Sequence, residues 1–388
     1  MLGDCLKQHS ANFDAVVIGA GIVGASCADA LAANGLHVAI VEEKCIGGGA
    51  TGAGMGHIVV MDDSPAQLAL TRYSQQLWEQ LKSQLPDAVE YEGTGTIWVA
   101  ADDEEMAEVF RKREVYAQYG VESKVLSRAA LLSEEPQLRD SLAGGLLVSG
   151  DGVLYPPAAA AFLIDRACSA SAVLLQGHAV IKAARRCVSL DDGSALSAPW
   201  IINAAGASAA RLLPGLPIRP RKGHLLITDR YPGFVRHQLV ELGYLKSAHS
   251  ITADSVAFNV QPRRTGQLLI GSSRQYGCDT PEVEMEILGS LLDRACWYMP
   301  GLRNLSVIRT WTGFRMATPD HLPLIGQLIT GQPEEDDSIV IAAGHEGLGI
   351  TTSLATGQLV ADHCLRRKSQ IPSEPYEPSR FVGALTHV

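Results

Sequence analysis

A glycine-rich turn near the N-terminus carries the most specific chemical signal in the sequence. It follows the apolar run Ala15–Ile18 and consists of Gly19, Ala20, Gly21, Ile22, Val23 and Gly24. In a strand–turn–helix unit, the first glycine permits the tight turn, the second admits a pyrophosphate and the third lets helix and strand pack closely. The helix N-terminus adds free N–H groups and a positive dipole end. The spacing predicts a dinucleotide site; the alternative is a tight turn without a ligand.

An acidic residue closes the next apolar run, which spans residues 37–41. Glu42 lies 18 residues beyond Gly24, where a carboxylate can accept hydrogen bonds from a ribose diol. A carboxylate there disfavours a 2′-phosphate, so NADP is a poor fit. Glu43 is a second candidate contact of the nucleotide. The turn and the acid by themselves leave FAD and NAD open.

The segment 45–56 favours FAD, because it is rich in glycine and nearly free of bulky side chains. Backbone that runs against a large flat ligand needs small residues; a flexible loop is the alternative. The candidate cofactor contacts in this segment are Thr51, Gly54, Met55 and Gly56. His57 ends the segment, where it either flanks the isoalloxazine ring or serves as a structural histidine.

The elements that must position these residues alternate between helix and strand patterns. The sequence predicts helices over residues 67–85, 103–119, 158–170, 281–298 and 352–365. It predicts strands over residues 95–100, 173–181, 187–190, 200–206 and 338–344, and further strands within 218–309. The charges of residues 103–119 indicate a solvent-exposed helix face. This alternation predicts an α/β fold.

Composition and charge narrow the class of protein. The chain has 388 residues and a net charge of −10, which argues against nucleic acid as a partner. Its 8 cysteines form no C-x-x-C pair or other ligand cluster, so we expect no metal or iron–sulfur site. The N-terminus does not form a signal peptide, and no apolar run is long enough for a membrane helix. We therefore expect a cytoplasmic protein, with peripheral membrane contact left open.

Four stretches resemble the D-amino acid oxidase superfamily, in the branch that contains glycine oxidase, sarcosine oxidase and D-amino acid dehydrogenases. They are residues 14–42, 200–206, 311–326 and 342–351. The resemblance covers nearly the whole chain and implies a Rossmann-like FAD-binding domain interleaved with a β-rich α+β substrate domain. On this basis the FAD-binding domain takes residues 1–90, 151–216 and 316–388, and the substrate domain takes residues 91–150 and 217–315.

The resemblance also implies roles for individual residues. Arg315 matches an arginine that grips the substrate carboxylate, a task that suits a planar guanidinium; a surface arginine is the alternative. His345 is expected beside the flavin, and the other candidate catalytic residues are Tyr244, His57 and Asn259. Tyr244 is either a pocket residue or an ordinary core or surface tyrosine. Further FAD contacts are expected from Val180, Ala205, Gly206, Gly313, Gly344, Gly347, Leu348, Gly349, Ile350 and Thr351.

Departures from known members refine these expectations. Gly313 lies where covalently flavinylated sarcosine oxidases carry a cysteine, so we expect noncovalent FAD. Asn259 and Gly347 lie where glycine oxidase has a tyrosine and an arginine, which argues against a strict glycine oxidase. Residues 220–230 resemble hydrogen cyanide synthase, opine oxidase and D-hydroxyproline dehydrogenase subunits, and residues 241–249 resemble the last of these.

The activity that the resemblance implies is oxidation of an amino acid by hydride transfer from Cα to flavin N5, which yields an imine. D-Hydroxyproline and D-proline are the favoured substrates, and a quinone or a partner subunit is the favoured electron acceptor; oligomer formation stays open. The alternatives are an O2-using glycine, sarcosine or opine oxidase subunit and a non-catalytic flavin-binding scaffold. A disulfide reductase is a poor fit because the sequence shows neither a redox cysteine pair nor a second G-x-G-x-x-G turn.

Overall fold

The computed structural model describes residues 12–243, 255–278, 280–327 and 339–381. Tyr244, one of the candidate catalytic residues, lies outside the described residues. The helices are α1 (Ile22–Ala33), α2 (Gly49–Ala53), α3 (Pro65–Leu81), α4 (Asp103–Gln118), α5 (Arg128–Glu134), α6 (Pro156–Ser169), α7 (Ala209–Leu212), α8 (Met285–Tyr298) and α9 (Gly349–Cys364). None of these described helices combines the length and the apolar character that a bilayer span requires.

A six-stranded sheet carries the glycine-rich turn. Its strands, in spatial order, are β18 (Leu324–Gln327), β19 (Ile339–Ala343), β12 (Trp200–Asn203), β1 (Ala15–Ile18), β2 (Val38–Glu42) and β8 (Val173–Gln176). Neighbours pair in parallel except β18 with β19. Because successive strand residues point to opposite faces, Ala15 and Val17 pack under α1, α6 and α9, whereas Val16 and Ile18 join a second core on the other face.

An eight-stranded sheet forms the β-rich part of the molecule. Its strands, in spatial order, are β17 (Val307–Ala317), β13 (Arg219–Arg230), β16 (Gln267–Tyr276), β15 (Ser255–Pro262), β14 (Gln238–Glu241), β4 (Thr96–Ala100), β6 (Gly144–Val148) and β5 (Lys124–Ser127). The two large sheets take alternating stretches of the chain, which confirms the interleaved α/β fold. β17 continues to Ala317, past the domain boundary expected after residue 315.

Two small sheets complete the strands of the described residues. One contains β9 (Val180–Ala184), β10 (Cys187–Leu190) and β11 (Ala195–Ser197); the other pairs β3 (His57–Ile58) with β7 (Gly152–Val153). The single strand predicted over residues 173–181 is wrong. Gly177 adopts φ of +85° and breaks it, so that β8 joins the six-stranded sheet and β9 begins the three-stranded one.

Local sequence explains where several helices begin and end. Ser64 and Asp102 cap α3 and α4, and each side chain accepts a backbone N–H from three residues later, at 3.1 and 2.9 Å. α1 ends at Asn34, and Gly35 follows with φ of +84°, a conformation that glycine adopts readily.

The charged helix α4 is not only a solvent-exposed face, contrary to the sequence prediction. The side chain of Lys112 is fully buried and pairs with Asp62. Its Nζ lies 4.4 Å from the ring centroid of Trp98 and 4.9 Å from that of Tyr116. The two aromatic rings lie against the ammonium group, and the Asp62 carboxylate offsets its charge.

Candidate active site

The carboxyl ends of parallel strands bring the predicted nucleotide residues to one edge of the six-stranded sheet. Gly19 follows β1, Glu42 ends β2, Ala205 lies two residues after β12, and Gly344 follows β19. α1 and α9 both begin at this edge, and neither has an acidic residue in its first turn. Two positive helix ends therefore meet where nucleotides bind in open α/β sheets.

Two glycines of the turn, Gly19 and Gly24, leave no space for side chains against the backbone. Gly19 has φ of +100°, and a Cβ there would lie 2.7 Å from the carbonyl oxygen of Ala204. A Cβ on Gly24 would lie 2.0 Å from the carbonyl oxygen of Gly19. Only glycine lets α1 pack this closely on the end of β1, which is the arrangement that a pyrophosphate-binding turn needs.

Side chains from outside the turn hold its backbone. Thr51, on α2, accepts a hydrogen bond from the N–H of Ile22 at 3.0 Å. Glu42 accepts the N–H of Ala20 at 2.7 Å and that of Lys44 at 2.9 Å through its two carboxylate oxygens. The carboxylate is thus fixed beside the turn, and the open cradle and its donors fit the phosphates and ribose of FAD. Residues 45–56 are not irregular throughout, since α2 occupies their centre.

The glycine-rich segment packs against β17 of the other sheet. A Cβ on Gly313 would lie 2.5 Å from the Cβ of Ala53, so position 313 has no space for a side chain. Trp311 donates its indole N–H to the carbonyl oxygen of Ala53 at 3.2 Å. A Cβ on Gly56 would lie 1.9 Å from the carbonyl oxygen of Leu154. Gly56 is therefore required because the backbone of Leu154 packs directly against it.

A polar cavity lies beside the N-terminus of α9. Its lining residues are His57, Val59, Met61, Asp63, Gln67, Trp98, Gln238, Val240, Asn259, Arg274, Arg315, His321, Glu346, Gly347 and Leu348. The structure thus brings Arg315, His57 and Asn259 together, as the sequence predicts, although they come from three distant segments. His345 does not line this cavity. It is buried, and its Nε2 lies 3.0 Å from the hydroxyl of Thr356 on α9.

The side chain of Arg315 extends from β17 into the cavity and lies next to Gly223 and Gly347. Its Nη1 donates to the carbonyl oxygen of Ser273 at 3.0 Å. A Cβ on Gly223, in the neighbouring strand β13, would lie 2.3 Å from the same Nη1, and one on Gly347 would lie 3.6 Å from Nε. The absence of a side chain at position 223 therefore creates the space that the guanidinium occupies. An arginine held in this way can bind a carboxylate with two parallel hydrogen bonds.

Gly223→Ala is expected to displace the Arg315 guanidinium while leaving the fold intact, because the atoms that its Cβ meets are the far end of a flexible side chain. We expect kcat/KM to fall by roughly 10²-fold, since an ångström-scale misplacement has an effect of that order. Steady-state kinetics and the FAD-to-protein ratio measure this. Gly93→Ala is the control, because no atom lies within 4 Å of its Cβ. Unchanged kinetics in Gly223→Ala would contradict the role assigned to this glycine.

His57 lines the cavity as a neutral imidazole. Burial lowers its pKa to about 4; the nearby Gln261 side chain opposes this shift, and the Arg315 cation adds to it. Its Nε2 is buried and has no hydrogen-bond partner among the described residues. A neutral ring with an unused nitrogen can donate a hydrogen bond to a ligand or accept one from it.

Burial likewise lowers the pKa of His345 to about 4. In the unfolded chain this histidine titrates near 6.5. Between these two pKa values, the imidazole is protonated in the unfolded chain but not in the folded protein. The free energy of unfolding therefore decreases as the pH falls below the pKa of the unfolded state. We expect wild type to lose about 2 kcal/mol more than His345→Gln between pH 7 and pH 5. Thermal unfolding of both proteins at the two pH values tests this, and equal losses would contradict it.

Several lining residues were missed by the sequence analysis. Arg274 and Gln238 lie on strands, where the sequence pattern indicates only which side chains share a face of the sheet. Nothing in the local sequence distinguishes a side chain that faces the cavity from one in the core. Glu346 stands out in the structure but not in the sequence. Its backbone adopts φ of +52°. Its carboxylate pairs with the buried Arg221 and accepts a hydrogen bond from His321 Nδ1 at 2.8 Å. Glu346 is thus a non-glycine residue with left-handed backbone in the lining of the cavity.

Comparison with known proteins agrees with this geometry. The family model described as DAO, FAD dependent oxidoreductase, matches residues 14–363. Glycine oxidase of Geobacillus kaustophilus is 28% identical over 386 residues, covering 96% of this chain and 98% of its own. Hydrogen cyanide synthase subunit HcnC of Pseudomonas aeruginosa is 27% identical over 421 residues, covering 95% and 96%.

Solved structures show the same relationship. The crystal structure of L-proline dehydrogenase from P. horikoshii has a TM-score of 0.86 at 26% identity and covers 95% of this chain and 98% of that one. Glycine oxidase from Geobacillus kaustophilus has a TM-score of 0.82 at 26% identity, with coverages of 97% and 99%. With the family match over most of its length and a cradle that fits the nucleotide, this chain belongs to the DAO family of FAD-dependent oxidoreductases.

Proposed function

We propose that this chain is a dehydrogenase of amino or cyclic imino acids that oxidises the Cα–N bond of its substrate to an imine. The observation that carries the proposal is a cavity whose lining includes both the Arg315 guanidinium and the neutral His57, beside the N-terminus of α9. The names of the relatives, glycine oxidase and L-proline dehydrogenase, support an amino or imino acid. FAD, when bound, supplies the two-electron acceptor.

In this proposal, Arg315 orients the substrate by its carboxylate and so sets the position of Cα. His57 Nε2 and Asn259 Oδ1 are buried atoms without a partner among the described residues, and we assign them to the substrate amine. A neutral His57 can accept a hydrogen bond from this amine without repelling it. We assign the pyrophosphate to the N-terminus of α1, the ribose to Glu42 and the flavin ring to the N-terminus of α9. The binding is noncovalent in this scheme, because position 313 has no space for a cysteine.

D-Hydroxyproline and D-proline are the first substrates to test, because residues 220–230 and 241–249 resemble D-hydroxyproline dehydrogenases. We propose that the electrons leave to a quinone or a partner subunit rather than to O2. The relative HcnC is by name a subunit of a synthase, which supports a partner subunit.

The test is anaerobic reduction of the FAD-loaded protein. D-Hydroxyproline, D-proline, glycine, sarcosine and opines are each added without O2, and bleaching of the flavin absorbance supports the proposal. A spectrum that stays intact with every compound would contradict it and favour a non-catalytic flavin-binding scaffold. O2 consumption, compared with reduction of a quinone or dye, separates an oxidase from a dehydrogenase.

A further inference from the structure

Three adjacent strands form one wall of the cavity that contains Arg315. In their register, Val240 on β14 is paired with Trp98 on β4 and with Asn259 on β15, and all three residues line the cavity. Neighbouring strands lie about 4.8 Å apart, so the Cα atoms of Trp98 and Asn259 are separated by roughly 10 Å. A substrate whose amine meets Asn259 can therefore extend along this wall, past Val240, to Trp98.

The indole of Trp98 brings a hydrogen-bond donor without a partner to this wall. Trp98 is 2% exposed, and its Nε1 is buried and makes no hydrogen bond within the described part of the chain. Buried polar atoms nearly always have partners, and an indole N–H can only donate. The partner that Trp98 lacks is therefore an acceptor, which a ligand in the cavity can supply.

A second polar group without a partner lies on the neighbouring strand. Gln238 precedes Val240 by two residues on β14, so the two side chains share a face of the sheet, and both line the cavity. The Oε1 atom of Gln238 is buried and has no hydrogen-bond partner among the described residues. A carboxamide offers both an acceptor and donors. One ligand group that accepts and also donates can therefore bond to the indole and the amide together.

The charges around this wall favour an uncharged group over a carboxylate. Lys112 lies over the Trp98 ring at 4.4 Å, but its ammonium group pairs with Asp62. Arg274 also lines the cavity and already has a partner, and Arg315 is assigned to the carboxylate next to Cα. A second carboxylate between the indole and the amide would therefore be buried without a counter-charge from these cations, which is costly. A hydroxyl accepts and donates without carrying a charge.

We propose that the substrate carries a hydroxyl group beyond Cα, which accepts a hydrogen bond from Trp98 and forms a second one with the Gln238 amide. Trp98 and Gln238 then determine the specificity for the side chain of the substrate. The inference rests on the proposed function, in which Arg315 binds the carboxylate and Asn259 the amine. A substrate without the hydroxyl leaves buried polar groups unpaired, so the site discriminates against it.

Substrates that differ by one hydroxyl test the proposal. 4-Hydroxy-D-proline is compared with D-proline, and D-threonine and D-homoserine are each compared with D-2-aminobutyrate, so that the hydroxyl lies at different distances from Cα. In the comparison that fits the cavity, we expect kcat/KM about 10²-fold higher for the hydroxylated compound, since each buried group left unpaired has a penalty of about 10-fold. Trp98→Phe and Gln238→Met should each lower this preference by about 10-fold and leave the compound without the hydroxyl almost unchanged.

Trp297→Phe is the matched control, because Trp297 is 38% exposed and lies outside the cavity lining. Calorimetry with 3-hydroxycyclopentanecarboxylate and cyclopentanecarboxylate, which lack the amine and so cannot be oxidised to an imine, separates this proposal from the proposed function. The hydroxylated ring should bind more tightly, and Trp98→Phe and Gln238→Met should weaken its binding while Trp297→Phe should not, even if no compound reduces the flavin.

Two results would overturn the proposal. The first is equal use of both members of every comparison, together with equal binding of the two rings, by wild type; this result needs no variant to fold. The second is an equal loss of binding for both rings in Trp98→Phe and in Gln238→Met, which would indicate a role in the shape of the cavity rather than in binding a hydroxyl. Flavin reduction by the compounds with equal binding of the rings would leave the proposed function intact and remove this inference alone.

Discussion

Replacement of Arg315 by methionine is expected to lower kcat/KM for the substrate by about 10³-fold while the purified protein keeps its FAD. Methionine fills much of the same space but removes the donors that face the cavity, so substrate loses both its affinity and its orientation. The Nη1 bond to the Ser273 carbonyl oxygen is also lost, but it joins two residues of the eight-stranded sheet and does not involve the nucleotide turn. Steady-state kinetics and the FAD-to-protein absorbance ratio provide the measurement.

Two further variants make this result specific. Arg315→Lys keeps the positive charge but loses the planar fork, so we expect an intermediate kcat/KM. Arg309→Met changes an exposed arginine on the same strand and should leave the kinetics unchanged. If Arg315→Met matched wild type, the assignment of this residue to the carboxylate would be wrong. A parallel loss of FAD would indicate a role in the fold instead.

The second large effect is expected at the nucleotide turn. Gly24→Ala places a Cβ 2.0 Å from the carbonyl oxygen of Gly19, an atom of the backbone that cannot rotate away. The N-terminus of α1 must then move off β1, which separates the helix N–H groups from the site of the pyrophosphate. We expect destabilisation of about 3 kcal/mol, at the upper end for overpacking of a core, and purification largely as apoprotein.

The control for this substitution lies in α8. A Cβ on Gly289 meets no atom within 4 Å, and an alanine inside a helix is favoured over glycine by about 1 kcal/mol. Gly289→Ala should therefore keep its FAD and show an equal or higher Tm. Retention of full FAD content and Tm by Gly24→Ala would show that α1 can shift without disturbing the nucleotide site.

The nucleotide-binding half of the site was largely predictable because its signals are local. Gly19, Gly21 and Gly24 lie within a single strand–turn–helix unit. Within such a unit, the spacing of residues along the chain fixes their positions relative to one another. Gly35 ends α1 as glycine typically does, and Glu42 ends the neighbouring parallel strand, whose carboxyl end must lie at the same edge. The capping of α1 by Thr51 could not be predicted, since it joins residues of different elements through one hydroxyl.

The substrate half was predictable only in part. The resemblance pointed to Arg315, His57 and Asn259, and all three line the cavity. It also pointed to His345 as a flavin neighbour, which stays a prediction; this residue is not among the lining residues of the cavity, and its Nε2 lies 3.0 Å from the hydroxyl of Thr356.

The sequence by itself determined the dinucleotide turn, the interleaved α/β fold and the family, because these depend on short-range spacing and on stretches of matching residues. Only the tertiary structure decided which side chains share the cavity. Arg274, Trp98 and Arg315 lie on three strands of the eight-stranded sheet, and Gly223 matters because it faces the Arg315 guanidinium across β13 and β17. Strand order and register bring such residues together, and a pattern along the chain does not encode contacts made between strands far apart in sequence.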